Sequence, residues 1–160
     1  MTHTKQPHSA SPRKRSFLKW AVSMLTYGFI VAGIVLGLPK FLAWSLETPY
    51  PMAAITSGSM WPVLKEGDLI FVQGVQGKSD IRIGDVIVYR NKSNNTFVIH
   101  RVVTMSDGTL TTKGDANFTG DAPVAYEDVV GKTFQVLGHN VRIPHLGVIT
   151  VYANKKINAQ

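Results

Sequence analysis

Thr56-Ser57-Gly58-Ser59-Met60-Trp61-Pro62 runs on to Asp68-Leu69-Ile70-Phe71-Val72. The second segment is a short apolar run between Lys65-Glu66-Gly67 and Gly74, the pattern of a strand bounded by turns. The first segment reads as a turn. Gly58 opens backbone conformations closed to other residues, and Pro62 stops a helix from starting at once. A turn of this kind can present Ser57 or Ser59 to a substrate instead of burying it. Serine and glycine are also ordinary turn residues, so the stretch taken alone is a weak signal and fits a plain turn better.

Outward from this turn the same punctuation repeats. Apolar runs predict strands at 53–56, 68–73, 85–90, 97–104, 109–112 and 132–137. Turn signals separate them: Gly74 to Asp80, Gly84, Asn91 to Asn95, and Ser106-Asp107-Gly108. Asp-Gly between two strand runs is a hairpin signal. No segment of useful length after residue 50 has the helical period. The expectation is an all-β, antiparallel domain of about six to ten short strands, a partly open barrel or packed sheets. No internal repeat is visible.

N-terminal to the domain the pattern differs. Residues 1–16 are polar, with Pro7, Pro12 and several Ser and Thr, the composition of a disordered tail. Residues 20–38 then run without a charge. As a helix these 19 residues span about 28 Å, close to a bilayer's hydrocarbon thickness. No polar face interrupts them, which argues against a buried core helix. A cleaved signal peptide is the other reading, but the apolar run is long for one. The best small-x-small candidate, Ala43-Trp44-Ser45, also has a bulky centre. The expectation is therefore one N-terminal transmembrane signal-anchor at 17–46, a tail at 1–16, a domain at 47–153 and a polar end at 154–160.

Charge supports that division. The net charge is +7, yet the first acidic residue is Glu47. Lys5, Arg13, Lys14, Arg15, Lys19 and Lys40 precede it without compensation, and the rest of the chain is near balance. Basicity belongs to the arm and not to the domain, so nucleic acid is not an expected partner. Arg13, Lys14, Arg15 and Lys19 flank the span on one side and Lys40 on the other. The positive-inside rule then puts the N-terminus in the cytoplasm and the domain outside a single-pass cell membrane. Trp20 and Trp44 stand near the two ends, where aromatic rings favour the headgroup level. The chain has no cysteine, which excludes disulfides and a cysteine nucleophile.

Three residues types carry possible chemistry. Ser59 needs a base to become a nucleophile. His100, in Phe97-Val98-Ile99-His100-Arg101-Val102-Val103, lies 41 residues further on and is the usual kind of base. Asp115, in Lys113-Gly114-Asp115-Ala116-Asn117, or Asp121 could orient the imidazole. Spacing shows only that the parts exist. A Ser59–Lys113 dyad is a rival arrangement, and it requires a lysine depressed by burial. A non-catalytic, membrane-tethered β domain for surface binding or assembly is the rival of another class. No tight His pair marks a metal site, and no cofactor is expected.

These boxes resemble those of type I signal peptidases. Ser57-Gly58-Ser59-Met60-Trp61-Pro62, Val98-Ile99-His100-Arg101-Val102-Val103 and Lys113-Gly114-Asp115-Ala116-Asn117 follow in the family's order, with Gly67-Asp68-Leu69-Ile70 and Gly84-Asp85-Val86-Ile87-Val88-Tyr89 between them. Histidine in place of the usual bacterial lysine marks the archaeal and endoplasmic-reticulum branch, which also occurs in some Gram-positive bacteria. The resemblance implies a membrane serine endopeptidase that removes signal peptides from exported preproteins at small-x-small sites. It implies Ser59 as nucleophile, His100 as general base, Asp121 as the triad aspartate and Asp115 as a second aspartate of lesser rank. Ser57 and the Ser59 amide would form the oxyanion hole. The substrates implied are preproteins, in general or as a dedicated set such as pilin, fibre or biofilm proteins, and a partner subunit is compatible with the family.

Two further expectations follow. Met60 and Trp61 are candidates for contact with substrate or lipid. Ala53, Ala54, Ile55 and Val98 are candidates to line shallow pockets for small side chains. Many relatives of this branch end in a second span. Here the apolar run at 144–151 is too short to cross a bilayer as a helix and turns polar by Asn154.

Overall fold

The structure is a computed structural model that describes residues 13–148. The expected tail before residue 13, the polar end at 154–160 and the last residues of the 144–151 run lie outside the described residues. Two compact units divide between Lys40 and Phe41.

The first unit is built on helix α1 (Arg13–Ser45), whose last turn continues into the second. The helix starts inside the stretch expected as tail, since Arg13, Lys14 and Arg15 are good helix formers and no Gly or Pro interrupts them. Its 33 residues include Pro39, the kind of helix breaker that apolar membrane helices tolerate. Leu25, Phe29 and Leu36 on one face are exposed, as are Ile30 and Phe41 on another. Among the described residues α1 is the one helix long and apolar enough to cross a membrane.

The second unit is antiparallel β. Its strands are β1 (Met52–Ala54), β2 (Leu69–Gln73), β3 (Val86–Asn91), β4 (Thr96–Met105), β5 (Thr109–Lys113), β6 (Val124–Ala125), β7 (Val129–Thr133), β8 (Gln135–Val136), β9 (His139–Asn140) and β10 (Arg142–Ile143). The main sheet runs β1-β2-β7-β3-β4-β5-β6, with β10 also on β2, and β8-β9 is a separate hairpin. The all-β expectation holds, with five of the six expected strands within two residues of their observed ends. The run at 132–137 is the exception. It is the end of β7 and the whole of β8, because the chain leaves the main sheet after Thr133. Strands β6, β9 and β10 have two residues each, too few to show a period.

The turns behave as their residues require. Asp107-Gly108 joins β4 to β5, with the Ser106 amide donating to the Thr109 carbonyl at 2.8 Å. Gly67 has φ +89, and a Cβ there would meet Val148 Cγ2 at 2.8 Å. Its amide donates to the Ile55 carbonyl at 2.8 Å, which closes the loop that carries Ser59.

Strand β3 is apolar on both faces, and this divides the core. Val86 and Val88 pack with Ile55, Met60, Leu64, Ile70 and Val72. Ile87 and Tyr89 pack with Ile81, Val102, Leu110, Val124 and Val129. Consecutive strand residues point to opposite faces, so a continuous run such as Val86-Ile87-Val88-Tyr89 belongs in a strand covered on both sides. In the β3–β4 register Ile87 faces His100, which places the imidazole on the second of these cores.

Candidate active site

Ser59 stands in the loop between β1 and β2. Ile55, Met60 and Leu64 on this loop are buried, at 3%, 1% and 0% exposure, and they pin it to the core. The Trp61 amide donates to the Gly58 carbonyl at 3.0 Å, forming the expected turn. The Ser59 carbonyl accepts the Ala116 amide at 2.9 Å. Two loops distant in sequence are thereby joined at the serine itself.

His100 on β4 bridges the remaining parts. Its Nε2 lies 3.1 Å from Ser59 Oγ, and its Nδ1 lies 2.6 Å from Asp121 Oδ2. With the proton on Nδ1 donated to Asp121, Nε2 is free to accept from the serine hydroxyl. Thr112 Oγ1 donates to the same Asp121 oxygen at 2.6 Å, and the Tyr89 hydroxyl does so at 3.3 Å. Burial pushes the Tyr89 pKa above its ordinary 10.0; the Thr112 hydrogen bond partly offsets this and the Asp121 charge reinforces it. Tyr89 therefore remains a donor at neutral pH.

The other candidates are placed as follows. Ser57 Oγ is 3.2 Å from Ser59 Oγ, on the exposed side of the turn. Asp115 does not join His100. Arg101 Nε and Nη2 donate to its two oxygens at 2.8 and 2.6 Å, and Arg101 Nη1 donates to the Gly84 carbonyl at 2.8 Å. The hydrogen bonds to Asp115 hold the Arg101 pKa above its ordinary value. Asp115 thus anchors the 114–117 turn that clasps Ser59. Lys113 Nζ donates to the Asn117 carbonyl at 3.1 Å. Met60, at 1% exposure, packs in the first core, since its position after Ser59 turns it inward. Trp61 is 59% exposed.

A cavity of about 590 Å³ opens beside Ser59 and His100. Ala53, Ala54, Ile55 and Val98 all line it, as does Met60. Tyr50 and Phe97 also line it, their rings in tilted contact with centroids 5.1 Å apart and planes at 56°. Among the described residues no group of three or more His, Cys, Asp or Glu is arranged to hold a metal ion.

Arg101, Thr112 and Tyr89 were not singled out in the sequence. Arg101 had one signal, its place next to His100 on the opposite strand face. Tyr89 closes the family-like stretch 84–89, which gives its hydroxyl no role, and Thr112 had no signal, as Thr is an ordinary strand residue.

No family model matches the chain. Individual relatives do. The signal peptidase complex catalytic subunit sec11 of Pyrenophora teres f. teres is 32% identical over 70% of this chain and 68% of its own length. The protein of the same name from Metarhizium robertsii is 30% identical over 70% and 69%, and that from Neurospora crassa is 26% identical over 89% and 83%. The chain belongs to the type I signal peptidase family, in its endoplasmic-reticulum-type branch.

Proposed function

We propose that this chain is a membrane-bound serine endopeptidase that removes N-terminal signal peptides from exported preproteins. The observation that carries the proposal is the bridge made by His100 between Ser59 Oγ and Asp121 Oδ2. The names of the relatives support the substrate class.

In the first step His100 Nε2 takes the Ser59 hydroxyl proton as Oγ attacks the scissile carbonyl carbon. Negative charge moves to the carbonyl oxygen, where the Ser59 amide and the Ser57 hydroxyl donate. The Asp121 carboxylate stabilises the imidazolium. His100 then gives its proton to the leaving amine, and the C–N bond breaks to leave an acyl-Ser59 ester. Water, deprotonated by His100, attacks this ester; Ser59 recovers its proton and the signal peptide leaves with a new carboxylate.

Cleavage at small-x-small sites is part of the proposal. An extended segment lying in the cavity meets Ala53, Ala54 and Val98 in its lining. Trp61, exposed beside the nucleophile, is a contact for substrate or lipid. The chain is read as an anchor at 17–46 and a catalytic domain at 47–153, with the basic flank in the cytoplasm and the domain outside the cell membrane. The relatives are named as subunits of a complex, and the reading is compatible with a partner subunit.

The test is cleavage of a preprotein with an A-x-A site by the full chain in liposomes. Ser59→Ala and His100→Ala are each expected to lower kcat by about 10⁵-fold or more. Lys113→Ala is expected to retain cleavage, because its ammonium is engaged with the Asn117 carbonyl. Cleavage that survives Ser59→Ala would end the proposal, and the opposite behaviour of His100 and Lys113 would move the base to Lys113.

A further inference from the structure

We propose that Thr112, assisted by Tyr89, is the positioning residue that holds Asp121 against His100. This rests on the Ser59–His100–Asp121 reading. Asp121 lies outside the strands, in the connection between β5 and β6 that includes Gly114 and Gly120. A carboxylate on such a segment needs an external anchor to keep one oxygen on the imidazole.

Thr112 supplies it at two points. Its carbonyl accepts the Asp121 amide at 2.8 Å, and its hydroxyl donates to Asp121 Oδ2 at 2.6 Å. Thr112 lies on β5 and is fully buried, so both groups are fixed to the sheet. Tyr89 reaches the same oxygen from β3 at 3.3 Å, a longer and weaker bond. Three neighbouring strands, β3, β4 and β5, thus direct Tyr89, His100 and Thr112 onto one atom.

The chemistry of the anchor suits its place. Among the described residues no lysine or arginine pairs with Asp121; the nearby guanidinium of Arg101 is paired with Asp115. A fixed cation there would compete with the imidazolium for the carboxylate charge. Neutral hydroxyls orient the carboxylate without supplying a counter-ion.

The test measures kcat and KM separately for the full chain in liposomes, with a preprotein carrying an A-x-A site. Thr112→Val, which keeps shape and removes the hydroxyl, is expected to lower kcat by about tenfold to a hundredfold with KM unchanged. Thr112→Ser is expected to restore most of the loss, and Tyr89→Phe to lower kcat about threefold. A wild-type kcat in Thr112→Val overturns the proposal. So does a loss that Thr112→Ser fails to restore, which would make Thr112 a packing residue. If Thr112→Val does not fold, Tyr89→Phe in the Thr112→Ser background decides. A further fall in kcat at constant KM supports the anchor, and an unchanged kcat overturns it. Ser59→Ala is measured alongside, because residual cleavage there would overturn the serine mechanism itself, whatever Thr112 does.

Discussion

Arg101 grips Asp115 with two nitrogens, at 2.8 and 2.6 Å, one residue along β4 from the histidine that contacts Asp121. The two aspartates offered by the sequence thus have different partners. Asp115 holds a turn and Asp121 holds an imidazole. Asp115→Asn is expected to cost about 2 kcal/mol of stability, from weakened charge-assisted hydrogen bonds. Asp121→Asn is expected to lower kcat by about 10⁴-fold with a smaller change in Tm. Denaturant titration and steady-state kinetics on both variants separate the two roles.

Gly114 is held against the nucleophile's backbone. A Cβ there would stand 2.7 Å from the Ser59 carbonyl oxygen and 2.7 Å from Asn117 Nδ2. The backbone oxygen has no room to yield, so Gly114→Ala is expected to push the turn from Ser59. A loss of about 1–3 kcal/mol in stability should accompany a large fall in cleavage. Gly58 is the contrast. Nothing lies within 4 Å of its Cβ position, and Gly58→Ala is expected to change stability by less than about 0.5 kcal/mol. Thermal melts of the two variants check the difference.

Ser57 is close enough to the nucleophile to serve the developing oxyanion, at 3.2 Å between hydroxyl oxygens. Loss of one preorganised donor lowers kcat by about 10²–10³-fold in other acyl-transfer sites. Ser57→Ala is expected to show a fall of that order with KM unchanged. A proportionate rise in KM with constant kcat would instead make Ser57 a substrate-binding residue.

Tyr89 links stability to alkaline pH. Its folded pKa is raised above 10.0, chiefly by burial. The folded state therefore retains a proton that the unfolded chain loses above about pH 10. The contribution is fully present below that value and is lost as pH rises through the folded pKa. Denaturant titrations between about pH 8 and 11 should show a shallower alkaline decline in Tyr89→Phe than in the wild type.

Much of the fold was legible because its causes are local. An uncharged stretch from Trp20 to Leu38 is an apolar helix in any context that removes water, since the period and the lack of a polar face are written in consecutive residues. Alternating apolar runs and the turns between them announced β2 to β5 within a residue or so. The turn at Ser59 and the imidazole in the strand at His100 were equally plain. Residue type alone also named both aspartates.

What the sequence could not decide is which groups meet. Ser59, His100 and Asp121 are separated by 41 and 21 residues, and only the strand pairing closes those distances. Alternation tells which side of a strand a residue takes and not what lies opposite. Met60 therefore turned inward, Asp115 went to Arg101, and Thr112 and Tyr89 reached Asp121 unannounced. Hydrogen bonds act over about 3 Å, so the partner of each aspartate is a property of the folded sheet, while the helix, strands and turns that build it follow from the order of the residues.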